Sequence, residues 1–148
     1  MTEYISAIIR TVREALERPE CQNLYIGFES FPWGSCMDAS IILGNLLEKY
    51  SEEKFKLIAA EIEYPFKSHS WLEYKGYIID ITIDQFIPES RSFILPSNAL
   101  NDFPYKAFSI TASRPVSGES ISPFCAALFF VDDYLRSKIP DLLNKKSV

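Results

Sequence analysis

Residues 35–50 restrict the fold more than any other segment. Gly34 supplies a turn, Ser35 and Cys36 open the segment, and Ala39, Ile41, Ile42 and Leu43 make its first half apolar on nearly every side. A helix without a polar face has nothing to present to water, so it must run through the interior with other elements wrapped around it. At 148 residues the chain is one domain, 1–148, long enough to enclose such a helix without disulfide or metal staples.

The flanking segments supply the wrapping. Thr2 caps an amphipathic helix in which Tyr4, Ile5, Ile8, Ile9, Val12 and Leu16 recur at helical spacing, and Pro19 ends it. A loop over 20–34 carries Gly27, Pro32 and Gly34 interleaved with Tyr25, Phe28, Phe31 and Trp33. Beyond the central helix, strand-like runs occupy 56–64, 68–74 and 77–83, and the last two flank Lys75-Gly76, a pair suited to closing a hairpin. Pro88, Pro96, Pro104 and Pro115 break up the stretch 86–120, leaving short strands at 92–95 and 105–110. Ser122 as cap and Pro123 in the first turn start a closing helix with Phe124, Leu128, Val131 and Leu135 as its buried stripe, interrupted at Pro140. Lys145-Lys146 reads as a frayed, solvated end. This order predicts an α+β fold: a central buried helix packed on an antiparallel sheet, flanked by N- and C-terminal helices.

Charge excludes some functions. A net charge of −5 and no stripe of Lys or Arg argue against a nucleic-acid partner. No apolar run approaches the roughly 20 residues of a membrane span. The first 19 residues are too charged for a secretory signal. Three cysteines are too few and too odd for a disulfide framework, which points to a reducing, cytoplasmic setting, although export by a dedicated secretion system leaves the same pattern.

Three residues carry the chemistry. His69 is the only histidine, so any acid–base role near neutral pH falls on it. With Lys75-Gly76 as a two-residue turn, Tyr74 faces Tyr77, Trp71 faces Asp80 and His69 faces Thr82. Asp80 is then the diagonal neighbour of His69 on one face, placed to orient the ring, with Asp84 as the reserve at the same parity. Cys36 enters the buried helix from a glycine turn, where free N–H groups and the helix dipole favour a thiolate and its own amide can stabilise an oxyanion. Asp38 in the first turn opposes a thiolate, so its side chain is expected to point away. Cys21, in the loop, and Cys125, on the buried face of the last helix, read as structural. Trp33 and Trp71 are candidate substrate-binding walls, with Phe28 and Phe31 beside them, although all four could equally be core. One histidine and no paired cysteine spacing make a poor zinc set, so no metal and no cofactor is predicted.

Gly34-Ser35-Cys36 with Ala39-Ser40, followed by His69-Ser70-Trp71-Leu72-Glu73, Gly76 and Ile79-Asp80-Ile81-Thr82, resembles the papain-like and transglutaminase-like cysteine enzymes. The second stretch is close to the His-x-Trp-x-Glu, Gly, Asp-x-Thr pattern of small bacterial transglutaminase-like proteins. The resemblance spans 33–86. It implies Cys36 as nucleophile, His69 as base and Asp80 as orienting acid, acting on a protein or peptide substrate at a glutamine or asparagine side chain or a peptide amide. Met37 departs from the aromatic common after the cysteine, and Ser30 stands where papain-type proteases carry an oxyanion glutamine. Gln22, Asn23 and the Trp33 indole are the candidates for the second oxyanion donor. The rival reading is a binding or immunity-type module that reuses a degenerate fold of this kind.

Overall fold

The computed structural model describes residues 1–144; the Lys145-Lys146 pair lies outside the described residues. Four α-helices, α1 (Glu3–Leu16), α2 (Pro19–Gln22), α3 (Cys36–Ser51) and α4 (Cys125–Lys138), accompany five strands, β1 (Lys56–Glu63), β2 (Phe66–Tyr74), β3 (Tyr77–Ile79), β4 (Ile94–Pro96) and β5 (Ser109–Pro115). The strands form one antiparallel sheet in the order β4-β3-β2-β1-β5. α3 lies between the sheet and the other helices, against β2 and β1 on one side and α1 on the other. The protein is therefore the predicted α+β domain, with its apolar helix enclosed.

Local signals explain most element boundaries. The Thr2 hydroxyl accepts from the Ile5 amide at 3.2 Å and starts α1, whose Ile5, Ile8, Ile9, Val12 and Leu16 are buried. Lys75 and Gly76 both take positive φ, 43° and 83°, the pairing demanded by a tight turn whose twist matches the strands. Tyr74 then pairs with Tyr77 and Leu72 with Ile79. At the far end of α3, Tyr50 and Lys49 both donate to the buried Asp132 of α4, Lys49 at 3.1 Å. No helix among the described residues is long and apolar enough to cross a membrane.

Several expectations need correction. Pro19 opens the short α2 as well as following α1, and Cys21 is fully buried there. β3 stops at Ile79 rather than running to Ile83: the Asp80 amide still donates to the Phe93 carbonyl at 2.8 Å, in register with β4, and the chain then leaves the sheet for a 3₁₀ turn, Ile83–Gln85. Trp71–Asp80 and His69–Thr82 are thus not ladder pairs. Tyr105 lies in a 3₁₀ turn, Tyr105–Ala107, not a strand, and β5 extends to Pro115, where a missing N–H is harmless at the end of an edge strand. Ser122 provides no side-chain cap; a 3₁₀ turn, Ser122–Phe124, leads into α4. Cys125, at the head of α4, is exposed rather than on its buried face.

Gly44 in α3 marks a close approach to the central helix. A Cβ there would lie 2.6 Å from Val116 Cγ2 and 3.1 Å from Val116 Cβ. A β-branched side chain cannot swing both methyls aside. Overpacking of about 1–3 kcal/mol then outweighs the roughly 1 kcal/mol that alanine gains in helix propensity. Gly44→Ala is expected to lower the urea unfolding free energy, whereas in a Val116→Ala background the same change should be neutral or stabilising.

Candidate active site

Cys36 is the first residue of α3, reached through Gly34 at φ 71°, a left-handed conformation that glycine adopts without strain. Ser35 does not cap the helix, because its hydroxyl donates to the Gly27 carbonyl at 2.9 Å. The first-turn N–H groups of α3 therefore have no side-chain cap, and the positive end of the helix dipole lies at Cys36. Asp38 is engaged elsewhere: it accepts from the Tyr25 hydroxyl at 2.6 Å. That hydrogen bond, then burial and the Asp38 charge, push the Tyr25 hydroxyl up to about 12.

His69 projects from β2, opposite Ala60 of β1, and its side chain is wholly buried. Opposite residues on one face stand about 5 Å apart at Cβ, so an alanine at 60 leaves room for the ring. Phe86, Trp71, Phe108 and Tyr105 surround that ring at centroid distances of 4.7, 5.7, 6.0 and 6.4 Å. Nε2 lies 2.7 Å from Asp80 Oδ2. Nδ1 is buried and closes no hydrogen bond of ordinary length and angle. Cys36 is nonetheless near enough to act on the ring both as a hydrogen-bond partner and as a charge.

The protonation of His69 reflects competing effects. Burial, the largest, favours the neutral ring. The Asp80 charge and hydrogen bond, followed by the hydrogen bond and charge of Cys36, outweigh it together and push His69 up to about 9. Asp80 is itself 1% exposed and fully engaged. Oδ2 accepts from His69 and from the Tyr105 hydroxyl, the latter at 2.7 Å. Oδ1 accepts from the Thr82 amide at 3.1 Å and the Thr82 hydroxyl at 3.4 Å. The reserve candidate Asp84 is not at the site: it forms a two-pronged pair with Arg13, both contacts 2.8 Å.

The remaining predicted residues separate. Trp33 is 57% exposed, in the loop leading to Cys36. Trp71 is 1% exposed and packs edge-on against Tyr105 at 5.1 Å. It is mainly a support for His69 and meets only a pocket of about 410 Å³ that Tyr105, Phe108 and Ile110 also border. Phe28 is core, and Phe31 lies under the Arg13 guanidinium, 4.8 Å from its ring centre. The Gln22 amide commits one N–H to the Leu16 carbonyl at 3.1 Å. Burial pushes Cys21 up to about 12, consistent with an inert thiol. Among the described residues no group of three or more His, Cys, Asp or Glu is disposed to hold a metal ion.

Two supporting residues escape the sequence reading. Tyr105 has no periodic pattern around it. Arg13 carries a signal that can be read in retrospect: it stands four residues after Ile9 and three before Leu16, on the apolar face of α1. It is buried, donating to the Ile81 carbonyl at 2.5 Å, with Nε 3.4 Å from Glu17. Arg13 thus braces the turn that carries Asp80 and contacts the loop that leads to Cys36.

Compared with protein-family models, curated proteins and solved structures, the chain matches none.

The His69 shift has a measurable consequence. Its folded value, about 9, lies above the ordinary 6.5. The stabilisation is therefore complete below the unfolded value and lost as pH rises through the folded one. Urea unfolding free energy is expected to fall between those limits by a few kcal/mol at most, and His69→Gln should flatten the dependence in that window.

Proposed function

We propose that the protein catalyses acyl transfer from an amide through a Cys36 thioester. The observation that carries this reading is the polarity of the buried imidazole. Nε2 is bonded to Asp80, whereas Nδ1, with no closed hydrogen bond, belongs to a ring within reach of a thiol at an uncapped helix start. A module acting by contact alone has no use for an unsatisfied nitrogen beside a thiol, a combination that costs stability.

In the proposed reaction the Cys36 thiolate attacks the amide carbonyl, forming the S–C bond. The oxyanion is stabilised by the Cys36 N–H at the α3 N-terminus, with Asn23 or the Trp33 indole as second donor. The C–N bond breaks as the His69 imidazolium protonates the departing amine, leaving a thioester and neutral His69. His69 then takes a proton from water or from an incoming amine as it attacks the thioester. A C–O or C–N bond forms, the C–S bond breaks, and the Cys36 thiolate and His69 imidazolium are restored, giving hydrolysis or deamidation with water and a cross-link with the amine. Asp80 holds the ring in one orientation and balances its charge. The substrate class is a protein or peptide presenting a glutamine or asparagine side chain or a peptide amide, and the exposed Trp33 is the residue best placed to meet it. A reducing compartment such as the cytoplasm suits a thiol nucleophile.

Labelling with iodoacetamide at pH 7 tests the site without a substrate. Cys36 should react faster than the exposed Cys125, and Cys21 should stay unlabelled until the chain unfolds. His69→Ala should slow Cys36 by about tenfold or more, the activation expected of a paired thiol. Labelling of Cys36 no faster than Cys125 and indifferent to His69 sinks the proposal. With an amide substrate in hand, Cys36→Ala and His69→Ala should each reduce turnover by about 10⁴-fold or more, and loss of Asp80 by less. Turnover should also decline as pH rises through about 9, where the imidazolium is lost.

A further inference from the structure

Tyr105 is almost wholly buried, yet its hydroxyl reaches the centre of the site. It is 3% exposed and donates to Asp80 Oδ2 at 2.7 Å, the oxygen that His69 Nε2 also meets at 2.7 Å. Burial, then the charge and hydrogen bond of Asp80, raise the Tyr105 hydroxyl far above its ordinary value, so it remains a donor at every working pH. A carboxylate can only accept, so the direction of this bond is fixed.

We propose that Tyr105 is a positioning residue for His69, acting through Asp80: by donating to the oxygen that the imidazole bonds, it locks that oxygen toward the ring and draws off part of its charge. The two effects come from one bond. Thr82 holds Oδ1 from the other side, so the carboxylate has no freedom to turn. With part of the Oδ2 charge committed to Tyr105, Asp80 attracts the ring proton less strongly than an unshared carboxylate does. His69 then releases its proton more readily to a departing amine. The consequence for catalysis rests on the acyl-transfer reading, whereas the effect on the ring does not.

Three titratable side chains from three elements face His69. They are Cys36 at the head of α3, Asp80 after β3 and, through Asp80, Tyr105 in its 3₁₀ turn. The other neighbours, Trp71, Phe86 and Phe108, do not titrate. The chain has a single histidine, so a tag-free sample gives one imidazole in an NMR pH titration and no assignment is needed.

Tyr105→Phe keeps the ring that packs on Trp71 and removes only the hydroxyl. The expected result is a rise of about 0.5–1 pH unit in the His69 titration, the scale of one hydrogen bond to a charged group partly offset elsewhere. Site-specific 3-fluorotyrosine at position 105, a stronger donor of nearly the same shape, should move it the opposite way, and this arm decides the question if Tyr105→Phe does not fold. In an Asp80→Asn background neither change should shift the ring. A His69 titration that stays within about 0.2 unit for the fluorinated chain, or a shift that survives Asp80→Asn, overturns the proposal. Iodoacetamide labelling separates the two readings. If Tyr105 moves His69 but Cys36 ignores His69→Ala, the acyl-transfer reading fails and this one stands. If Cys36 depends on His69 while the titration never moves, the reverse holds.

Discussion

A buried carboxylate organises this protein around the Asp80 position. Taking an ionised carboxyl out of water costs several kcal/mol, and the cost is recovered only if the protein surrounds it with donors of good geometry. Asp80 has four such contacts: His69 from β2, Tyr105 from a 3₁₀ turn 25 residues further on, and the amide and hydroxyl of Thr82. Satisfying them dictates the local chain path. β3 ends at Ile79 so that Asp80 can turn inward, and its amide is taken by the Phe93 carbonyl at the approach to β4. Breaking any one contact leaves the charge short of a partner, and this makes the cluster rigid.

That rigidity reaches outward through Arg13. The guanidinium holds the Ile81 carbonyl and both oxygens of Asp84, the segment just past Asp80. Its planar face also lies over Phe31 and Phe93, at 4.8 and 5.3 Å. Phe31 belongs to the loop that delivers Cys36, and Phe93 provides the carbonyl that fixes the Asp80 amide. One buried cation on α1 therefore touches both segments whose relative placement decides whether thiol and imidazole meet. Lysine is a poor substitute there, because a point charge cannot engage a carboxylate with two prongs and stack on rings at once. α1 lies outside the stretch that carries the sequence resemblance, yet it is a structural member of the site.

These dependencies determine which parts of the structure are legible in the sequence. Turn chemistry is local, so Lys75-Gly76 gave the correct pairing of Tyr74 with Tyr77, and from it the shared side of His69 and Asp80, even though the strand ends one residue before the aspartate. Hydrophobic period is local too, and it located α1, α3 and the apolar stripe of α4. Helix caps are less legible: Thr2 binds its helix, whereas Ser122 does not, because a 3₁₀ turn intervenes. Tyr105 could not be found this way. Its role depends on a contact across 25 residues of irregular chain, where proline fixes local angles without indicating where the chain goes. Arg13 is hidden for the opposite reason, as a charged residue inside an otherwise clean apolar pattern whose two-pronged partner lies 71 positions away.

The exposure of the site residues sets the order of events in the proposed chemistry. Cys36 is partly exposed, His69 and Asp80 are sealed from solvent, and Tyr105 closes the far end. Cys36 is therefore the member of the cluster that meets solvent, whereas the imidazole is enclosed. Proton traffic is confined to Nδ1, the nitrogen without a closed bond, because Nε2 is held by Asp80. Within such an enclosure electrostatic interactions are stronger than in water, so the charge on Asp80 acts on the ring with less screening than a surface charge would. The donors that share that charge then govern how readily His69 gives up its proton. A bare aspartate behind the histidine would hold the imidazolium too firmly for a good acid, and a fully neutralised one would leave it too weak a base for the next step. In the proposed chemistry the three donors other than His69, namely the Tyr105 hydroxyl and the amide and hydroxyl of Thr82, place Asp80 between these limits.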